Sequence, residues 1–189
     1  LDWYLFTRIN GLTGRWPPLD GAARAFAQYG LALLAIPLAA AWFGRSDDRV
    51  GRAARAARAA RADVIRAAIA GLLALGVNQV IGTAWFRPRP FVGRQVHLLL
   101  PPTWDASFPS DHSTAAWSVT GSLGHAPAWA RWFAAVVSLL VMLARVYAGL
   151  HYPLDVLGGA MIGLAVSALV RWAWRLVPRG FERWLERLP

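Results

Sequence analysis

Long apolar runs alternate with shorter polar stretches along this chain, and the lengths of those runs set the first reading. Residues 1–12, LDWYLFTRINGL, are amphipathic and too short to cross a bilayer. They predict an interfacial helix with Trp3 and Tyr4 at headgroup depth. RWPP at 15–18 breaks that helix, which makes 1–18 one interfacial unit. Asp20 is placed to cap the next helix, a first span running to about Phe43, with Pro37 as a candidate kink. A second span covers roughly 64–85 and carries the polar pair Asn78 and Gln79, which suits hydrogen bonding between helices. A helix at 111–124 and spans at about 128–147 and 154–176 complete the pattern. Several runs approach the ~20 residues needed to traverse hydrocarbon. The expected fold is an all-α integral membrane protein, a bundle of about five transmembrane helices plus the N-terminal interfacial helix, in a single domain over 1–189.

The 111–124 helix is the weakest member of this set. At ~1.5 Å per residue it reaches about 21 Å, against a hydrocarbon core of ~30 Å. It crosses only if HAPAW, residues 125–129, sits deep or the bilayer thins locally.

Three polar segments separate or follow the spans. GRSDDRVGRAARAARAARAD, 44–63, repeats arginine every three residues at 49, 52, 55, 58 and 61. That step drifts around a helix of 3.6 residues per turn, so no single stripe forms. The segment reads as a solvated basic loop that can also be helical, with binding to anionic lipid as the alternative. Residues 86–110 form a long proline-rich loop, and 177–189 an amphipathic tail.

Composition agrees with a membrane setting: 57% of residues are hydrophobic and 16% charged, against about 25% charged in soluble domains. All 20 basic residues are arginine, and the net charge of +10 points to anionic membrane lipids or phosphate-bearing substrates as partners. Nucleic acid is disfavoured, because much of the charge lies beside apolar spans. Cysteine is absent, which excludes disulfides, thiol catalysis and cysteine metal sites. Leu1 in place of methionine suggests a trimmed chain, and Asp2 and Arg8 argue against a cleavable signal peptide.

If all five segments cross, three polar clusters far apart in sequence reach one membrane face. They are FRPRPF at 86–91, SFPSDHS at 107–113 and ARVYAGLHYPLDV at 144–156. Most of the arginines fall on the opposite face, in the 45–66 run, at Arg131 and from Arg171 onward. Positive residues favour the cytoplasm, so the clustered face is expected to open outward.

The clustered residues are suited to phosphate chemistry. Arg87, Arg89 and Arg145 are planar forks that match phosphate oxygens. A helix starting near Asp111 adds free N–H groups and a positive dipole end. Ser110 is placed either to cap that helix or to bind a phosphate oxygen. Of two histidines, His112 and His151, one can attack phosphorus while the other protonates the departing oxygen. Asp155, four residues after His151, is placed to face back and fix the ring's tautomer. With arginines to neutralise charge, no metal or other cofactor is expected, and they would repel the cation of a zinc site. His97 and His125 have no partner visible in the sequence, and His125 reads as structural.

RPRPF, PSDHS and RVYAGLHYPLD resemble the three signatures of the type 2 phosphatidic acid phosphatase superfamily of membrane lipid phosphatases. That pattern runs K-x6-R-P, P-S-x-H, then S-R-x5-H-x3-D. The second and third match at Pro109, Ser110 and His112, and at Arg145, His151 and Asp155. Two positions depart from it: Gly82 stands where the lysine belongs, with Arg87 the candidate substitute, and Ala144 replaces the serine. The resemblance implies that His151 is the nucleophile forming a phosphohistidine, Asp155 its orienting partner and His112 the general acid that later activates water. It implies that Arg89, Arg145, Ser110 and the backbone N–H of Asp111 hold the phosphoryl oxygens.

RPRPF, the aspartate of PSDHS and the YAGLHYPLDV block are most similar to the bacterial undecaprenyl diphosphate phosphatases. That implies a lipid diphosphate substrate and a bacterial inner-membrane location with a periplasmic site. Phosphatidylglycerol phosphate, phosphatidic acid and lipid A remain open as monophosphate substrates. A non-catalytic phospholipid-binding or transport protein would need the arginines but not the histidine pair. A vanadate-holding haloperoxidase is a further alternative, though that class is usually soluble.

Overall fold

The computed structural model describes residues 1–44 and 51–177, without the side chains of 52–57. Among these residues the chain forms α1 (Asp2–Asn10), α2 (Pro17–Tyr29), a 3-10 segment (Gly30–Leu34), α3 (Ala35–Phe43), α4 (Arg52–Ala84), α5 (Asp111–Ser122), α6 (Ala128–Tyr147) and α7 (Pro153–Trp174). Among the described residues, four stretches are long and apolar enough to cross a membrane: Pro17–Phe43, Arg58–Ala84, Ala128–Tyr147 and Pro153–Trp174. The bundle is inside out relative to a soluble one. Leu72, Val80, Leu139 and Met161 lie on its outer surface, while Ala67, Ala70, Ala74, Ala130 and Ala134 are buried. Lipid solvates large apolar side chains, so small residues inside let the helices approach.

Two boundaries differ from expectation. The first span is interrupted by the 3-10 segment Gly30–Leu34, and Pro37 sits buried within α3. The interruption falls where the chain meets α6: a Cβ on Gly30 would lie 2.6 Å from Val141 Cγ2. The basic stretch is helical, as its reading allowed, but it is continuous with the second span: Arg52–Asp63 form the first turns of the 33-residue α4. Alanine and arginine are both strong helix formers, and the period-three arginines do not oppose it. Residues 45–50, and the expected tail from 178 onward, lie outside the described residues.

α5 is not one of the four spans, and its 12 residues cover only about 18 Å. It is held inside the bundle, packed most extensively against α7 and then against α4 and α6. At its start Asp111 accepts a hydrogen bond from Asn78 of α4, at 2.7 Å. Just past its end the His125 N–H donates to Asp63 of α4, at 2.5 Å. Asn78 and Asp63 are separated by about 22 Å of helix, so α5 runs antiparallel to α4 between these two levels. The 125–129 turn therefore lies level with Asp63, and α6 starts from that end. His125, expected to be structural, also brings its ring Nδ1 to 3.2 Å from Asp63.

A helix surrounded by protein does not need an apolar surface. The hydroxyls of α5 are satisfied locally or by neighbours: Ser118 donates to the Thr114 carbonyl at 2.8 Å, and Ser113 to the Val156 carbonyl at 2.5 Å. Glycines on α7 make the seam. A Cβ on Gly159 would lie 2.6 Å from the Ser110 carbonyl oxygen, and one on Gly163 would overlap the Thr114 carbonyl oxygen.

Candidate active site

Three pieces of chain meet at one end of the bundle: the 86–110 loop, the start of α5 and the turn between α6 and α7. The third piece is shaped by Gly149, whose φ of +80° suits glycine. A Cβ there would also lie 2.5 Å from the His97 carbonyl oxygen. Asn10 of α1 ties the same region together, with its amide donating to the carbonyls of His97 and Tyr147 at 2.8 and 2.9 Å. The turn then delivers His151, which is 1% exposed. Tyr152 and Pro153 start α7, and Asp155 caps it by accepting the Tyr152 N–H at 2.8 Å.

The two ring nitrogens of His151 face different groups. Nδ1 lies 2.8 Å from the Ser107 carbonyl oxygen, which accepts only, so Nδ1 carries the proton. Nε2 is then an acceptor, 3.1 Å from Nη1 of Arg89 and 3.3 Å from Nη2 of Arg145. Burial pushes the imidazole down to about 4, opposed by the nearby Asp155 and reinforced by Arg145 and Arg89. The ring is thus neutral at pH 7, with its lone pair on the nitrogen that faces the two guanidinium groups.

Those groups are fixed from behind. Arg89 donates to the Leu150 carbonyl and to Asp105, both at 3.0 Å. Arg145 donates to the Ala27 carbonyl at 3.2 Å. The Nε atoms of both arginines and the hydroxyl of Ser110 are buried with no protein partner among the described residues. Ser110 is the N-cap of α5, yet its hydroxyl makes no cap bond. The first-turn N–H groups of α5 have no acceptor within the helix. His112, on that turn, is held below the ordinary imidazole value by burial first, and then by the charges of Arg145, His151 and Arg89. With two guanidinium groups facing its Nε2, the neutral imidazole sits in a cage suited to a tetrahedral oxyanion.

Two expected residues are placed differently. Asp155 does not hold the ring directly: its Oδ2 is 3.8 Å from Nδ1. It instead accepts from the Ser107 hydroxyl at 2.5 Å and from Arg87 Nη1 at 2.6 Å. Capping α7 commits the carboxylate to its own backbone, which leaves the ring to the Ser107 carbonyl. Arg87 does not join the cage, because its other terminal nitrogen donates to Asp2 at 2.5 Å. Ser107, Asp105 and Asp2 went unassigned in the sequence. Ser107 had one signal, its place in the SFPSDHS stretch, while Asp2 and Asp105 had none.

Beside the cage, a cavity of about 360 Å³ opens between the end of α4 and the loop, lined by residues including Gly82, Thr83, Asp105, Phe108 and Asp111. Gly82, where a lysine was expected, forms part of its wall.

The profile of the PAP2 superfamily matches residues 63–178. Over its whole length the chain is 32% identical to undecaprenyl-diphosphatase BcrC of Bacillus subtilis (strain 168), covering 95% of that protein. The crystal structure of Aquifex aeolicus LpxE is similar at a TM-score of 0.70 and 28% identity, over 89% of this chain and 93% of that one. The transmembrane PAP2-type phosphatidylglycerolphosphate phosphatase of Bacillus subtilis shares the fold, with a TM-score of 0.65 at 23% identity over 94% and 88% of the two chains.

Proposed function

The chain belongs to the PAP2 superfamily, and from that premise we propose that this membrane phosphoric ester hydrolase converts undecaprenyl diphosphate to undecaprenyl phosphate through a phosphohistidine. The observation that carries the reading is the neutral Nε2 of His151 set at 3.1 and 3.3 Å from two guanidinium groups. Full-length similarity to an undecaprenyl-diphosphatase supports the choice of lipid.

In this mechanism the oxygens of the terminal phosphate take over the donors of Arg89 and Arg145. Ser110 and the first turn of α5, including the Asp111 N–H, complete the clamp. Losing those donors frees the Nε2 lone pair as the phosphorus arrives. Nε2 bonds to phosphorus, the bond from phosphorus to the bridging oxygen breaks, and His112 gives its proton to the departing lipid phosphate. Substrate anion favours the imidazolium form of His112 needed for that transfer. Water then attacks the phosphohistidine, His112 takes its proton, and inorganic phosphate leaves. Most of the rate enhancement comes from positioning and charge stabilisation, which this arrangement supplies.

The enzyme sits in the bacterial cell membrane with the site facing outward, and the basic start of α4 contacts anionic lipid on the inner face. Phosphate release by purified protein tests the reading across undecaprenyl diphosphate, phosphatidylglycerol phosphate, phosphatidic acid and lipid A. The highest kcat/KM is expected on the first. Equal values on all four would remove the lipid assignment, and no release from any would remove the hydrolase. His151→Gln is expected to abolish release while lipid binding persists; a variant with full turnover would exclude His151 as nucleophile.

A further inference from the structure

We propose that Asp2 and Arg87 are positioning residues, which hold Asp155 and, through Ser107, the His151 ring, so that α1 helps to aim the nucleophile. The inference rests on the phosphatase reading of His151. Its basis is an unbroken line of polar contacts. Asp2 accepts from Arg87 Nη2 at 2.5 Å, and Arg87 Nη1 donates to Asp155 at 2.6 Å. Asp155 accepts from the Ser107 hydroxyl at 2.5 Å, and the Ser107 carbonyl accepts the Nδ1 proton of His151 at 2.8 Å.

Each link has a physical reason to matter. Asp155 is completely buried, and a carboxylate in that position is tolerable only when paired and hydrogen-bonded. Arg87 is the guanidinium that pairs with it. Arg87 is itself held from three sides: by the two carboxylates and by the Tyr152 ring, 4.3 Å from its Cζ. A phosphate reaching for it would have to displace two charge-assisted bonds. Asp2 also accepts the Leu154 N–H at 3.0 Å, so it joins α1 to the first turn of α7. Aromatic packing fixes the same joint, with Phe6 and Trp3 at 5.6 and 6.4 Å from Tyr152. Displacing α1 would move Arg87, then Asp155, then the oxygen that sets the tautomer of His151.

The test separates positioning from phosphate binding. Asp2→Asn and Arg87→Gln are expected to lower kcat, by up to about 100-fold for a misplacement near 1 Å. KM and the inhibition constant of inorganic phosphate should stay within about twofold of wild type. Arg87→Lys should restore part of the loss. Arg87→Gln combined with Asp155→Asn should fall no lower than Asp155→Asn alone, because both act through one ring. A rise in KM and in the phosphate inhibition constant at unchanged kcat would make Arg87 a phosphate ligand and overturn the proposal. A second readout needs no turnover. In protein carrying ¹⁵N-histidine, with His151 assigned by its loss in His151→Gln, both single variants should shift the His151 ring signals and leave those of His97 and His125 in place. Unchanged His151 signals in both variants would overturn the proposal. If the wild type releases no phosphate from any lipid, the hydrolase reading fails and the ring signals alone decide the positioning role.

Discussion

In the proposed mechanism His151 joins two opposed requirements, burial for protection and basicity for attack. With its ring pushed down to about 4, the imidazole keeps its lone pair at neutral pH and gains a proton only as the pH nears that value. A lowered value means that the neutral form persists as pH falls from 7 and is lost only near 4. Titration of ¹⁵N-histidine protein should therefore show a His151 midpoint of about 4, below the ordinary ~6.5; a midpoint near 6.5 would show that burial does not control the ring. Ser110 offers a contrast between function and stability. Its hydroxyl is buried without a protein partner among the described residues, and such a group costs about 1–3 kcal/mol. Ser110→Ala is expected to melt no lower than wild type while kcat/KM falls, checked by thermal unfolding in detergent alongside phosphate release. Residue types and spacing pointed to most of these side chains. The sequence could not show that the carbonyl of Ser107 would take the place expected for Asp155, since any residue carries a carbonyl.

At the scale of elements, α5 decides whether there is a site. Its start carries Ser110 and His112, and its position against α7 depends on glycine. Gly159→Ala would push a Cβ onto the Ser110 carbonyl, which a backbone atom cannot easily evade. The expected cost is about 1–3 kcal/mol of stability, with activity lost as the α5 N-terminus shifts. Gly71→Ala, on α4 with open space around it, is the control. It should be neutral or stabilising by up to about 1 kcal/mol, as alanine favours helix. Equal losses in both variants would show that the seam does not position α5. The existence and bounds of α5, α6 and α7 were readable to within about two residues, because caps, prolines and apolar runs are local signals. The 3-10 interruption at Gly30–Leu34 was not, because its tight contact is with Val141, more than a hundred positions away.

The whole molecule presents two unlike ends to the membrane. One carries the imidazole and guanidinium cage; the other carries the arginine-rich start of α4 and the ends of α3 and α7. Because the chain has no cysteine, single cysteines report orientation cleanly. A cysteine at exposed His97 should react with an impermeant reagent added outside intact cells, and one at exposed Arg131 only after lysis. The reverse pattern would place the site on the cytoplasmic side.

Sequence alone determined the membrane setting, the helices and the set of residues from which the cage is built. These depend on apolar run length, on punctuation by proline and glycine, and on charge, all of which are written locally. Tertiary structure alone decided how those residues are shared out. It placed the polar, short α5 inside the bundle, where protein rather than lipid solvates its hydroxyls. It committed Asp155 to capping α7 and Arg87 to a pair of carboxylates, and left Arg89, Arg145 and Ser110 with donors to spare. Each such choice is a competition among partners distant in the chain, and distance in space is the quantity that a linear pattern does not carry.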